Sequence, residues 1–174
     1  MVTLTRRAFG AAALGSALAA GLPRVGQASG LVTVPEPIDA PPLALPGLDG
    51  SAHDLAAYRG RPVLVSFWAV WCAPCRVEMP ALARLRKTMA TAGGEVLAVD
   101  LGDSEARIHA FLERVDAPGL PILLDRQQVT AAPWHIAGLP AAYAIDRGGR
   151  IRLAALGAQA WDQPDIAHRL LALG

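Results

Sequence analysis

An uninterrupted apolar run at residues 61–69, RPVLVSFWA, constrains the fold more than any other part of the chain. No charged residue follows Arg61 in this run, and β-branched and aromatic residues dominate it. That composition is typical of a strand buried on both faces, which lies in the middle of a sheet covered on its two sides. A length of 174 residues and a hydrophobic content of 53% suit one compact domain around such a sheet.

The segments that follow this strand alternate between helical and extended patterns. Apolar residues recur at helical spacing from Pro74 to about Ala90, and Gly93 and Gly94 end the predicted helix. The later segments are predicted, in order, as the strand EVLAVDLG, the helix DSEARIHAFLERV with Ser104 as its N-cap, the strand LPILLD, a short helical piece over 127–136, the strands PAAYAID and RIRLAALG joined by the turn DRGG, and the helix QPDIAHRLLAL. This alternation predicts an α/β fold with a mixed central sheet flanked by helices.

The first 42 residues are expected to precede the domain. Residues 1–28 contain a basic stretch, an apolar stretch rich in alanine and glycine, and small residues near Ala28, which are the parts of a cleaved signal peptide. Residues 29–42 carry several prolines and are expected to form an extended leader. The domain is then predicted over 43–174, and it opens with a β-hairpin whose tight turn contains Asp49 and Gly50.

The signal peptide indicates a periplasmic protein. Arg6, Arg7 and Phe9 resemble the start of a twin-arginine signal, and a general secretory signal is the alternative. An uncleaved membrane anchor is disfavoured because the apolar stretch is shorter than the roughly 20 residues that a spanning helix needs. Cleavage near Ala28 removes three of the 16 basic residues and none of the 15 acidic ones, which leaves a net charge of −2. No nucleic-acid partner is therefore expected.

The only two cysteines, Cys72 and Cys75, stand in the sequence WCAPC directly after the buried strand. At a strand-to-helix junction, Cys72 faces the unpaired backbone N–H groups and the positive end of the helix dipole, which favour its thiolate. Cys75 lies one turn later and faces the interior, close enough to resolve a mixed disulfide formed on Cys72. Pro74 stiffens the backbone between them. The pair is therefore predicted to be a redox-active disulfide.

Three other uses of the cysteine pair agree less well with the sequence. A zinc site needs about four ligands, and the chain has no second cysteine pair and no histidine pair at metal-binding spacing. Haem attachment requires a histidine after the second cysteine, where the chain has Arg76. A purely structural disulfide stays open as an alternative, although a bridge over two residues closes a loop too small to constrain the unfolded chain much. We expect no metal and no cofactor other than the Cys72–Cys75 disulfide.

The segment FWAVWCAPCRVEMP, followed later by GLP before a strand, resembles the thioredoxin superfamily, in particular its exported thiol:disulfide reductases of the TlpA, ResA and CcmG kind. The resemblance extends from about Leu43 to the last helix. It implies a thioredoxin-like fold with an N-terminal β-hairpin and a central helix–strand insertion. It also implies that Cys72 and Cys75 are catalytic and that the substrate-binding surface comprises Trp71, Ala73, Pro74, Leu139 and Pro140.

Two of the implied roles have a simpler alternative. Pro140 matches the family's cis-proline, which packs against the active-site disulfide; an ordinary proline at the start of a strand is the alternative. Glu78 is the third residue predicted to be catalytic. Cytoplasmic thioredoxins have a buried aspartate where this chain has Ser66, and a carboxylate one turn beyond Cys75 is placed to exchange that thiol's proton if burial raises the carboxylate's pKa. A solvated glutamate that complements the helix dipole is the alternative.

The resemblance implies an exported protein-disulfide reductase. Its substrates would be proteins with disulfides, such as apocytochrome c or proteins that assemble the copper site of an oxidase. A membrane thiol-electron donor of the DsbD or CcdA type would reduce it again, and a monomer is expected.

The sequence leaves other functions to be tested. One is a thiol oxidant or isomerase, and another is a non-catalytic thioredoxin-fold module that binds a peptide or a metallochaperone. A peroxidase is disfavoured, because the pattern P-x-x-x-T-x-x-C would need proline and threonine where the chain has Val65 and Ala69.

Overall fold

The structure is a computed structural model that describes residues 30–173. The predicted signal peptide, residues 1–28, lies outside the described residues. No helix within 30–173 has the length and apolar character needed to span a membrane.

Eight strands and three α-helices make up the described chain. The strands are β1 (Val32–Asp39), β2 (Ala44–Pro46), β3 (Ala52–Asp54), β4 (Val63–Trp68), β5 (Glu95–Leu101), β6 (Ile122–Asp125), β7 (Ala141–Ile145) and β8 (Arg150–Leu156). The helices are α1 (Ala73–Thr91), α2 (Glu105–Leu112) and α3 (Pro164–Leu171), and a short 3₁₀ helix spans Leu55–Tyr58. Six of the strands form one sheet in the order β1-β8-β7-β4-β5-β6, and β2 and β3 form a separate hairpin.

The main sheet is mixed and its central strands are fully buried. Strands β4, β5 and β6 run parallel, whereas β7 is antiparallel to β4, and β8 is antiparallel to β7. Every residue of β4 is buried, as its charge-free run predicts for an interior strand, and every residue of β5 is buried as well. The predictions of a mixed central sheet and of an N-terminal hairpin are confirmed, and Gly50 takes the positive φ of 81° that its turn requires.

The two faces of the sheet are covered by different parts of the chain. One apolar cluster joins β4 to the inner faces of α1, α2 and α3, and it includes Leu64 and Trp68. A second cluster, on the opposite face, joins β4 and β5 to the β2–β3 hairpin through Leu45 and to the loop that contains Trp134. Side chains of a strand point alternately to the two faces, so Ser66, between Leu64 and Trp68 in alternation, faces α1.

The segment expected to be a leader, residues 29–42, contributes to the sheet. Its residues Val32–Asp39 form β1, which pairs with β8 at the edge. The pairing shifts register between Thr33 and Ile38, and Pro35 and Pro37 lie in that interval. Proline is tolerated there because an edge strand has only one neighbour, so a missing N–H need not leave a gap in a ladder. The sheet therefore begins at Val32 rather than at residue 43.

The short helix predicted over 127–136 is not formed. Turns occupy most of this segment, and Gln128 and His135 take positive φ values of 55° and 50°. The Asp125 carboxylate organises the first of these turns by accepting hydrogen bonds from the backbone N–H groups of Val129 and Thr130, at 2.9 and 2.8 Å. A side chain that captures backbone donors in this way competes with helix formation.

Candidate active site

The two cysteines lie at the carboxyl end of the central strand, where β4 leads into α1. Cys72 is the N-cap residue of α1, and Cys75 is in its first turn. The two residues form a disulfide with their Cα atoms 5.3 Å apart. Cys75 is completely buried, whereas 4% of the Cys72 surface is exposed. Of the two residues, Cys72 is thus the one with any surface open to an incoming molecule.

The beginning of α1 stabilises negative charge on Cys72. The Cys72 sulfur accepts a hydrogen bond from the backbone N–H of Cys75 at 3.3 Å. Pro74 stands in the first turn and has no backbone N–H, so it cannot compete with Cys75 as a hydrogen-bond donor to the Cys72 sulfur. Backbone donors and the positive end of the helix dipole both favour a thiolate at the N-cap. After reduction, Cys72 is thus the better nucleophile of the pair.

Pro140 reaches the same end of the sheet from β7. Its peptide bond with Leu139 is cis. Because β7 runs antiparallel to β4, with Ala141 opposite Phe67, the residues that precede β7 lie at the edge where β4 ends. Pro140 is buried and its carbonyl accepts a hydrogen bond from Gly157, while Leu139 is partly exposed. The structure thus brings Leu139 and Pro140 to the end of the sheet that carries the cysteines.

The other residues predicted to contact a substrate lie around Cys72 on the surface. Trp71 is 64% exposed, and Ala73 and Pro74 are also exposed. Trp68, in contrast, is fully buried, as expected for a core residue. An exposed tryptophan beside a reactive sulfur offers a flat apolar surface to a partner.

Glu78 is buried beneath the first turns of α1. Its Oε2 atom accepts hydrogen bonds from the backbone N–H of Gln159 at 3.1 Å and from the indole N–H of Trp161 at 3.0 Å. Its Oε1 atom is buried without a hydrogen-bond partner among the described residues. Burial raises the pKa of Glu78 to about 7, against the opposing effect of the two hydrogen bonds. Glu78 is therefore not a solvated glutamate; it is a carboxyl poised to hold or release a proton near neutral pH.

Ser66 occupies the position in β4 where cytoplasmic thioredoxins are expected to have a buried aspartate. It is fully buried on the face that packs against α1, and its hydroxyl has no hydrogen-bond partner among residues 30–173. Its alcohol does not titrate near neutral pH. Glu78, one turn beyond Cys75 on α1, is thus the carboxyl that the cysteine segment itself carries.

An aspartate pair that the sequence did not single out anchors the loop before Cys72. The Asp103 carboxylate accepts a hydrogen bond from the backbone N–H of Val70 at 2.6 Å. The Asp100 carboxylate in turn accepts one from the backbone N–H of Asp103 at 2.8 Å. Burial, together with the neighbouring Asp103 charge, raises the pKa of Asp100. The sequence VDLGD, residues 99–103, could have indicated this pair. The parallel strands β4 and β5 end at the same edge of the sheet, so aspartates at the end of β5 lie near the cysteine loop.

Gln159 and Trp161 were also missed. They follow β8 and lie more than 80 positions along the chain from Glu78, so no local pattern connects them with it. A buried carboxylate needs hydrogen-bond donors, but the sequence does not say which distant residues supply them.

Comparison with known proteins gives a consistent result. The model of the AhpC/TSA family matches residues 38–154. The chain is 35% identical over 113 residues to "Thiol-disulfide oxidoreductase ResA" of Geobacillus thermodenitrificans, a match that covers 65% of this chain and 64% of that protein, slightly less than two thirds of its length. It is 36% identical over 124 residues to "Thioredoxin-like protein YneN" of Bacillus subtilis, covering 70% and 71% of the two chains.

A solved structure shows the same architecture. The crystal structure of a "putative Thiol:disulfide interchange protein DsbE" from Chlorobium tepidum superposes with a TM-score of 0.71 at 30% identity, and it covers 83% of this chain and 100% of that one. The predicted thioredoxin-like fold is thereby confirmed.

Proposed function

The chain belongs to the AhpC/TSA family, and we propose that it is a thiol:disulfide oxidoreductase that reduces disulfides in other proteins. The observation that carries the proposal is the position of the Cys72–Cys75 disulfide at the N-terminus of α1, where Cys72 keeps a small exposed surface and Cys75 is completely buried. The names of the ResA and DsbE relatives support the same chemistry.

The exchange proceeds in two displacement steps. In the reduced protein, the Cys72 thiolate attacks one sulfur of a substrate disulfide; a mixed disulfide forms and the other substrate sulfur leaves as a thiolate. Cys75 then loses its proton and attacks Cys72, which releases the second substrate sulfur and closes the Cys72–Cys75 bond. The two cysteines lose two electrons and the Cys75 thiol loses one proton; the substrate gains the two electrons, and its two released thiolates take their protons from solvent. The disulfide is the only redox group that the proposal requires.

Glu78 is proposed to exchange the proton of Cys75. The buried thiol has no route to bulk water through its own surface, since Cys75 is completely buried. A carboxyl one turn away, with a pKa of about 7, can accept a proton in the second step and return it when the disulfide is next reduced. Trp71, Ala73, Pro74, Leu139 and Pro140 are proposed to contact the substrate around the mixed disulfide.

The cellular setting is proposed from the resemblance to exported reductases. Residues 1–28 would direct the chain to the periplasm, where it would act as a monomer. Its substrates would be disulfide-containing proteins of cytochrome c maturation or of oxidase copper-site assembly. Because the periplasm is kept oxidising, a membrane donor of the DsbD or CcdA type would have to supply the electrons.

A peroxidase is not favoured by this site. The residues three and seven positions before Cys72 are Ala69 and Val65, where the peroxidase pattern has threonine and proline. The cysteine that pairs with Cys72 is also in the same helical turn, which suits exchange between disulfides.

Reduction of insulin by dithiothreitol tests the proposed activity. The wild-type protein is expected to accelerate the reaction, and Cys72→Ser is expected not to. Equal rates for the two proteins would rule out the proposed function. Trapping with Cys75→Ala, which stalls the mixed disulfide, would then identify the substrates; recovery of export machinery alone would contradict the substrate class proposed above.

A further inference from the structure

A groove between α1 and α2 begins directly beside the disulfide. Its volume is about 570 Å³, and Ala73, which lies between the two cysteines, is part of its wall. Val70, Val77 and Phe111 form its apolar surface, and Arg76, Arg107 and Arg114 are the charged residues that line it. No acidic residue lines this groove, which we call the arginine groove.

Two of the three arginines have no charged partner within residues 30–173. Five of the nine other arginines within residues 30–173 pair with carboxylates: Arg61 and Arg86 with Glu95, Arg84 with Asp162, Arg126 with Glu105, and Arg152 with Asp146. Arg107 pairs with Asp103 at 3.1 Å, yet 59% of its side chain stays exposed. Arg76 and Arg114 are exposed and form no such ion pair. Their guanidinium groups are available to an external carboxylate.

The lining of this groove is positively charged on a chain whose net charge is negative once residues 1–28 are removed. Without residues 1–28, the 15 acidic residues exceed the basic ones by two. Arg76 and Arg114, which have no ion-pair partner among the described residues, therefore create a local field opposite in sign to the net charge. Guanidinium groups bind carboxylates with paired hydrogen bonds, and complementary charge increases the rate at which partners meet.

Exposed apolar side chains accompany this charge. Val77 is 80% exposed and Trp71 is 64% exposed, so both offer apolar surface to a partner near Cys72. An apolar surface edged by arginine is a typical composition for a protein-binding site.

We propose that the arginine groove binds an acidic segment of the substrate protein, next to the sulfur that reacts with Cys72. This inference rests on the proposed reductase function and specifies its substrate class. A substrate whose disulfide is flanked by aspartate or glutamate would place those carboxylates on Arg76 and Arg114 while its sulfur meets Cys72. Selection of substrates then depends on charge beside the disulfide as well as on the disulfide itself.

Synthetic peptides with one internal disulfide test this inference. Three peptides carry aspartate, asparagine or lysine on both flanks of the disulfide and are otherwise identical. Their rates of reduction by the full-length reduced protein are divided by their rates with dithiothreitol, which removes the intrinsic effect of the flanking charges. At low ionic strength the aspartate peptide is expected to react about tenfold faster than the asparagine peptide, as two exposed ion pairs would allow, and the lysine peptide more slowly. The preference should shrink as salt is added.

Charge-reversal variants locate the effect. Arg114→Glu should abolish or invert the preference without touching the cysteines, and Arg76→Glu combined with it should invert the preference further. Lys87→Glu is the matched control, because Lys87 is exposed on α1 and forms no ion pair in the described chain; it makes the same change in charge and should keep the wild-type ratio.

The possible outcomes separate this inference from the function beneath it. If no peptide is reduced, the proposed function fails. If all three are reduced at equal normalised rates, or if Lys87→Glu alters the ratio as much as Arg114→Glu does, the reductase stands and the inference is overturned. Sedimentation with phosphatidylglycerol vesicles provides a further check: binding that Arg114→Glu abolishes, without any peptide preference, would assign the groove to a membrane surface instead.

Discussion

Replacement of Glu78 by glutamine should make the stability of the oxidised protein less dependent on pH. Glu78→Gln keeps the shape of the side chain and an oxygen that can accept from Gln159 and Trp161, but it removes the titrating proton. The new amide group occupies the place of the unpartnered Oε1 atom, which imposes a fixed cost that does not vary with pH. The difference between the two proteins across pH therefore reports the ionisation of Glu78 alone.

The magnitude follows from the raised pKa. Burial raises the pKa of Glu78 from 4.5 to about 7, so the folded protein holds the proton more tightly than the unfolded chain does. As pH rises from 4.5, the unfolded chain ionises first and the free energy of unfolding falls; the fall is complete above about pH 7. The shift corresponds to about 3 kcal/mol of stability that wild type loses over this range and Glu78→Gln does not.

Urea unfolding of the oxidised proteins between pH 4 and pH 8.5 measures this difference, because the cysteines do not titrate while the disulfide is intact. Glu113→Gln is the matched control, because Glu113 is exposed. The free energy of unfolding of this variant should change with pH as that of the wild type does. A difference between wild type and Glu78→Gln that stays constant across the range would refute the assignment of a buried, titrating carboxyl at this position.

Three further substitutions test the surroundings of the site by the same unfolding measurements. Trp161→Phe removes a donor from Glu78 Oε2 and should move the pH-dependent fall in stability to higher pH; an unchanged midpoint would contradict the hydrogen bond. Asp103→Ala leaves the Val70 N–H without its acceptor and should cost about 1–3 kcal/mol and slow insulin reduction, whereas wild-type behaviour would mean that the loop needs no anchor. Leu43→Ala should cost about 2–5 kcal/mol, because Leu43, directly before the hairpin, is buried in the apolar cluster on that face of the sheet, and wild-type stability would contradict this packing.

The framework of the fold was predictable because its signals are local. The charge-free run VLVSFW predicts the buried strand β4, and helical spacing predicts α1 within one residue at each end. Ser104 caps α2 as its position before an amphipathic segment indicates. The position of the cysteine pair at a strand-to-helix junction was also predictable, because the apolar run before it and the helical spacing after it are both clear in the sequence.

The parts that were missed depend on contacts between distant residues. The segment 127–136 has a helical composition, but the Asp125 carboxylate takes its backbone donors and turns the chain instead. Residues 29–42 have the composition of an extended leader, and only their pairing with β8 makes part of them a strand of the sheet. The burial of Glu78 depends on Gln159 and Trp161, which reach it only after the sheet has formed. The local sequence pattern predicts which helix, strand or loop contains a residue, whereas tertiary packing determines which distant residues it contacts.

The reactivity of Cys72 tests the central claim most directly. The reduced protein is treated with a limiting amount of iodoacetamide at a series of pH values, and peptide mass mapping gives the rate of modification at each cysteine. Cys72 should react at least about tenfold faster than Cys75. The pKa of a free cysteine is about 8.5, and the rate at Cys72 should stay high below that pH. Equal modification of the two cysteines, or a Cys72 rate that rises only through that pH, would contradict a thiolate stabilised at the start of α1.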